Sequence, residues 1–81
     1  MESIQSQVMG IIASALLLER DRLSITDSFE DDLGADYLDL LDIVITIEDR
    51  FIIDITNDQL LKMQTVNDCI NCVEYVLMDC E

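Results

Sequence analysis

The chain of 81 residues has no histidine, and only four lysines and arginines stand against 18 aspartates and glutamates, for a formal net charge of −14. Without imidazole, acid–base chemistry near neutral pH would have to rest on a displaced carboxylate or thiol pKa. The acidic residues read more simply as a solvated face, and no catalytic residue is assigned. A charge of this sign is repelled by nucleic acid and by anionic membrane surfaces, and is drawn to basic protein patches. It also strains the folded state, so stability is expected to rise with salt. Long apolar runs are missing too. The longest, Ile11 to Leu18 with Ser14 inside it, falls far short of the ~20 residues of a spanning helix, and MESIQSQ reads neither as a secretory signal nor as an arginine-rich leader. Three cysteines, an odd number without a disulfide-like layout, suit a reducing compartment. No calcium loop fits, because neither DRLSITDSFEDD nor DDLGADYLDLLD places its oxygen ligands and glycine as that loop requires. Cys69 and Cys72 form a C-x-x-C spacing, but both fall inside a helical pattern, and Cys80 leaves only three thiols for a zinc ion. Cys69 and Cys72 are therefore read as small buried hydrophobes, Cys80 as an exposed oxidisable thiol, and no metal site is expected.

What the chain does have is apolar residues, 51% of the total, enough for one packed core in a single domain over 1–81. Ile4, Val8, Ile11, Ile12, Ala15 and Leu16 repeat at helical spacing and predict a first helix from about Ser3, its cap, to Leu18. Met9, Leu17 and Leu18 are assigned to core or loop packing. Glu19 to Gly34 has little periodicity and reads as a long ordered loop pinned by Leu23, Ile25, Phe29 and Leu33. Gly34 supplies the turn before a second helix, capped by Asp36 and running to Phe51. Ile52 to Ile55 could pass for a strand but would have no partner, so a short third helix over Asp58 to Lys62 and a fourth over Val66 to Met78, capped by Thr65, complete an all-α bundle. It has three main helices, one short one and a long first loop.

The second helix carries the most functional information. At about 100° per residue its polar residues occupy one arc about as wide as a single turn step, and most of the rest of the wheel is apolar. That is more apolar surface than so small a core can cover. The excess, around Tyr37, Leu38, Leu41 and Ile45, lies beside Asp36, Asp39, Asp42 and Glu48. An apolar strip fringed by carboxylates predicts docking to a partner with an apolar groove and a basic rim.

The sequence Asp32-Leu33-Gly34-Ala35-Asp36-Tyr37-Leu38-Asp39 resembles the D-L-G-x-D-S-L motif of the acyl carrier proteins. Ile47 to Phe51 is similar to that family's L-E-E-E-F. Ile55, Lys62, Thr65-Val66, Ile70 and Val73 follow in the family's order, so the likeness runs nearly end to end. The resemblance implies a right-handed four-helix bundle and a carrier rather than an enzyme. It also implies that Asp36, Leu38, Asp39, Leu41, Asp42, Ile45 and Glu48 contact partner proteins. Tyr37 stands where the family's serine receives 4'-phosphopantetheine. A phenol places its oxygen far from the site of an aliphatic hydroxyl, and misplacement on that scale defeats near-attack geometry, so no cofactor is expected. The resulting expectation is a non-acylated binding subunit, monomeric when isolated, with Tyr37 as an aromatic anchor. Its partners would be either a small helical adaptor of the leucine-tyrosine-arginine motif with a desulfurase, as in mitochondrial iron–sulfur assembly or respiratory complexes, or fatty acid synthesis enzymes. The mitochondrial matrix, or the cytoplasm if the source is bacterial, is the expected location. The alternative is a conventional carrier of fatty acid or polyketide biosynthesis with Tyr37 at the serine position.

Overall fold

The computed structural model describes residues 3–79. Four helices follow one another, α1 (Ile4–Leu16), α2 (Tyr37–Phe51), α3 (Asn57–Leu61) and α4 (Val66–Asp79), with a 3₁₀ turn at Arg20–Arg22. Among the described residues, β-type pairing is confined to an isolated antiparallel bridge between Ser28 and Thr65. Cys80 lies outside the described residues.

The helices begin where side chains satisfy their free N–H groups. Ser3 Oγ accepts from the Ser6 N–H at 3.1 Å at the start of α1. Asp36 and Asp39 form a reciprocal capping box on α2: the Asp39 N–H donates to Asp36 Oδ1 at 2.9 Å, and the Asp36 N–H to Asp39 Oδ2 at 3.3 Å. Thr56 and Gln59 do the same for α3, at 3.1 and 2.9 Å. At α4 the Asp68 N–H donates to Thr65 Oγ1 while Asp68 Oδ2 accepts from the Thr65 N–H, both at 3.1 Å. In each box two free N–H groups at the helix start are satisfied reciprocally. Replacing Asp36 by Ala removes one such cap and is expected to cost about 1 kcal/mol, read as a lower midpoint in urea denaturation; an unchanged midpoint would show that the Asp39 half of the box suffices.

Helix ends are less regular. α1 stops at Leu16, two residues earlier than the apolar pattern predicts, because Leu17 turns left-handed (φ 58) and the Leu18 N–H closes back on the Ala13 carbonyl at 2.8 Å. α2 ends the same way, with Ile52 at φ 55. Neither residue is a glycine, the usual occupant of that conformation. Leu17, expected to pack inward, is 92% exposed. Ala15 is exposed as well, and Ala13 takes its place in the core.

The core joins all four helices. Val8 and Ile12 of α1, Ile43 and Ile47 of α2, and Val66, Cys69 and Val73 of α4 are almost wholly removed from solvent, with Leu60 of α3 beside them. Each such aliphatic side chain contributes roughly 1.5–3 kcal/mol by burial. The long first loop is sewn to the junction of α3 and α4. The Phe29 N–H donates to the Gln64 carbonyl at 2.9 Å, the Val66 N–H to the Asp27 carbonyl at 3.0 Å, and the Asn67 N–H to the Ile25 carbonyl at 2.8 Å. Leu23 and Phe29 are buried, and Ile25 and Leu33 are partly so. At its start the Arg20 guanidinium donates to the Ser6 carbonyl at 2.8 Å and to Ser6 Oγ. Gly34 sits at φ 65 just before α2, where a side chain would be strained although nothing lies close enough to clash.

Candidate functional site

The loop, α2 and α3 meet at the N-terminal end of α2, where Tyr37, Leu38 and Leu61 are exposed. Tyr37 is the first residue of α2 and is 50% exposed; Leu38, next to it, is 69% exposed. The Tyr37 phenol donates to Asn57 Oδ1 at 3.4 Å, reaching from the start of α2 to the start of α3. Between them opens a groove of about 790 Å³, floored by Phe29, Ala35, Leu40 and Leu60 and rimmed by Glu30, Asp31 and Asp36. Further along α2, Ile45 is 54% exposed and Asp42 is exposed as well.

The structure divides the residues that the sequence grouped together. Tyr37, Leu38, Asp42 and Ile45 present themselves to solvent, and Asp36 is exposed while capping the helix. Leu41 is half-buried against the core. Asp39 is engaged in the capping box. Glu48 is partly buried and accepts from the Ile55 N–H at 2.8 Å, so its carboxylate holds the segment after α2. Three exposed or groove-forming features escaped the sequence reading: Ile52 (87% exposed), Leu61 (62% exposed) and Asn57 beneath the phenol. A helical wheel would have shown Leu61 only if the start of α3 had been fixed.

The thiols differ in setting. Cys69 is buried, and burial, with smaller contributions from Cys72 and Asp68, pushes its pKa up to about 12 from 9.0. Cys72 is half-buried, and burial raises its pKa as well. Neither is a thiolate at neutral pH, as nucleophilic chemistry would need. The unfolded chain releases the Cys69 proton near 9.0 and the folded chain only near 12. The folded state therefore holds more protons in that interval, and stability falls as pH rises through it. Urea denaturation at stepped alkaline pH is expected to show this decline, and a Cys69→Ala variant should show less of it. An equal decline in both would remove Cys69 as a cause.

No described helix is long and apolar enough to cross a membrane. Comparison with known proteins adds a family and a fold. A family model described as "Phosphopantetheine attachment site" matches residues 6–73. The chain is 38% identical over 73 residues to an acyl carrier protein of Exiguobacterium sibiricum, covering 90% of this chain and 92% of that one. It superposes with a TM-score of 0.80 on the crystal structure of an acyl carrier protein from Thermotoga maritima, at 24% identity over 93% of this chain and 87% of that one. A TM-score of 0.78 relates it, at 22% identity, to the apo doublet acyl carrier protein from prodigiosin biosynthesis, over 89% of this chain and 35% of that one. At these identities the two structures establish the fold, an all-α bundle of four helices.

These matches overturn the expectation that no cofactor belongs here. That expectation weighed one residue, Tyr37, against the whole chain, whereas the matched family is defined by phosphopantetheine attachment and the match spans most of the sequence. The start of α2 is open to solvent at Tyr37, as attachment of such a group requires, and its first turn is already capped by the Asp36 carboxylate. The hydroxyl available at residue 37 is a phenol at the far end of a ring, held toward Asn57, and this oxygen does not match an aliphatic acceptor. When bound, phosphopantetheine supplies a thiol that carries acyl groups as thioesters.

Proposed function

We propose, from the premise that this chain belongs to the acyl carrier protein family, that it is a carrier of fatty acid or polyketide biosynthesis that docks to basic partner enzymes through α2. Members of the family are carriers and not catalysts, and the chain is not an enzyme. The observation that carries the reading is the match over residues 6–73. Tyr37, on the motif Asp32 to Asp39, takes the position of the family's phosphopantetheine-accepting serine. The exposed Tyr37, Leu38 and Ile45, with Asp36 and Asp42 beside them, give α2 an apolar strip and an acidic fringe. A partner with a basic rim is steered to such a surface and held by its apolar part. Asp39, Leu41 and Glu48 serve the same surface from behind, by capping, packing and bracing it.

One observation, the phenol in place of an aliphatic hydroxyl, favours a second reading: a held subunit that docks through the same helix with Tyr37 as anchor. It would join a small helical adaptor in iron–sulfur assembly or a respiratory complex, in the mitochondrial matrix. Intact-mass spectrometry of the wild-type chain after incubation with coenzyme A and a carrier synthase separates the two. An added phosphopantetheinyl group, mapped by peptide digestion, supports the carrier. An unchanged mass under conditions that load a conventional carrier supports the held subunit.

A further inference from the structure

We infer that Ile52 is a second apolar anchor of the α2 docking surface, at the end opposite Tyr37, and that its occupant is a basic protein partner whose own helix covers the whole of α2. The inference rests on the docking role proposed above and extends it to a residue that role did not include.

Ile52 combines two features that each cost stability. It is β-branched and left-handed (φ 55), a conformation that glycine or asparagine adopts without the crowding an isoleucine suffers. It is also 87% exposed, so burial returns nothing for the strain within this chain. The left-handed turn is required here, because it lets the Ile53 N–H bond back to the Glu48 carbonyl at 3.2 Å and directs Ile53 into the core. The isoleucine side chain is not required by it. Large exposed hydrophobes held rigidly in place have their natural use in contacts with another protein.

The surroundings define that protein. Ile52 shares an open groove with Ile45 and Thr46 of α2, and Asp49 and Asp54 stand on its margin. Glu48 also lines it, but its carboxylate is turned to the Ile55 N–H. The groove is thus apolar at its centre and negative at its edge, within a chain of net charge −14. A second copy of the chain would be repelled, whereas a helix with an apolar stripe and lysines or arginines on its flanks is complementary in both respects. With Tyr37 and Leu38 at one end of α2, Ile45 near its middle and Ile52 just past the other end, the two anchors are separated by the length of α2, about 22 Å for its 15 residues. A partner that engages both must be as long as the helix, and this length requirement gives selectivity that neither anchor has alone.

The test uses a synthetic amphipathic helical peptide with leucines at i, i+3, i+4 and i+7 spacing and lysines on both flanks, long enough to cover α2. It is titrated into the isotope-labelled full chain and followed by amide chemical shifts. Shifts at Ile45, Ile52 and Ile53 as well as at Tyr37 and Leu38 are expected. The Ile52→Asn variant, whose side chain tolerates the left-handed turn, is expected to bind about tenfold more weakly with a melting temperature equal to or above that of the wild type. A residue with only a structural role would lower the melting temperature instead. Equal affinity for Ile52→Asn, shifts confined to the Tyr37 end, or equal binding of a peptide with glutamates in place of its lysines would each overturn the inference. If Ile52→Asn is unaffected while Tyr37→Ala is weakened, the second anchor is lost and the carrier reading stands.

Discussion

Replacing Phe29 by Ala is expected to destabilise the fold by about 3–5 kcal/mol, the largest single effect in this chain. Phe29 lies in the middle of the long first loop, is 3% exposed, and floors the groove beside Tyr37. Its backbone donates to Gln64 and its carbonyl accepts from the Ala35 N–H at 2.7 Å, so its ring is the plug around which the loop is fastened. A chain of this length has a total stability of only about 4–12 kcal/mol on typical per-residue values. Losing the ring therefore removes a large fraction of it. Urea denaturation followed by circular dichroism reads the effect as a fall in midpoint. A loss below about 1 kcal/mol would mean that the loop closes over the space and that backbone hydrogen bonds alone hold it.

Tyr37→Ala is expected to leave the fold nearly unchanged and to weaken docking. The side chain is half-exposed, and its hydrogen bond to Asn57 is long and solvent-accessible. Loss of such a bond costs at most about 1 kcal/mol. Affinity for a carrier synthase, measured by titration calorimetry, is expected to fall by about 1–3 kcal/mol, the range of a truncated aromatic anchor. Because a rigid ring buries a large area at small entropic cost, an alanine there forfeits most of the contact. Unchanged affinity would remove Tyr37 from the docking surface and leave Leu38 and Ile45 as its apolar part.

The fold was legible wherever a side chain acts locally. Ser3, Asp36 and Thr65 each mark a helix start in the sequence, and each caps that helix in the structure. Spacing alone points Val66, Cys69, Ile70, Val73, Val76 and Leu77 of α4 inward; the first four are buried, and Val76 and Leu77, in the last turns, are only partly so. The ends of α1 and α2 were not legible, because the left-handed turns at Leu17 and Ile52 use residues that carry no such signal. The stitching of the loop to the α3–α4 junction runs through backbone groups, which every residue has, so no pattern of side chains announces it. The half-burial of Leu41 was hidden for a different reason: a helical wheel gives direction but not the depth of the neighbouring chain. At the site, the exposed set Tyr37, Leu38 and Ile45 could be read in advance, whereas Ile52 lies one residue past the helix and outside any wheel. The family's cofactor is not legible at position 37, because one side chain there departs from a pattern that the rest of the chain keeps.

On the proposed carrier reading, α2 and its surroundings hold residue 37 at the point of phosphopantetheine attachment. The deciding measurement is the loading of the Tyr37→Ser variant, read by intact mass and peptide mapping after incubation with coenzyme A and a carrier synthase. The predicted result is one phosphopantetheinyl group, mapped to the serine introduced at position 37. A folded variant that stays unmodified, or is modified at another residue, would contradict it.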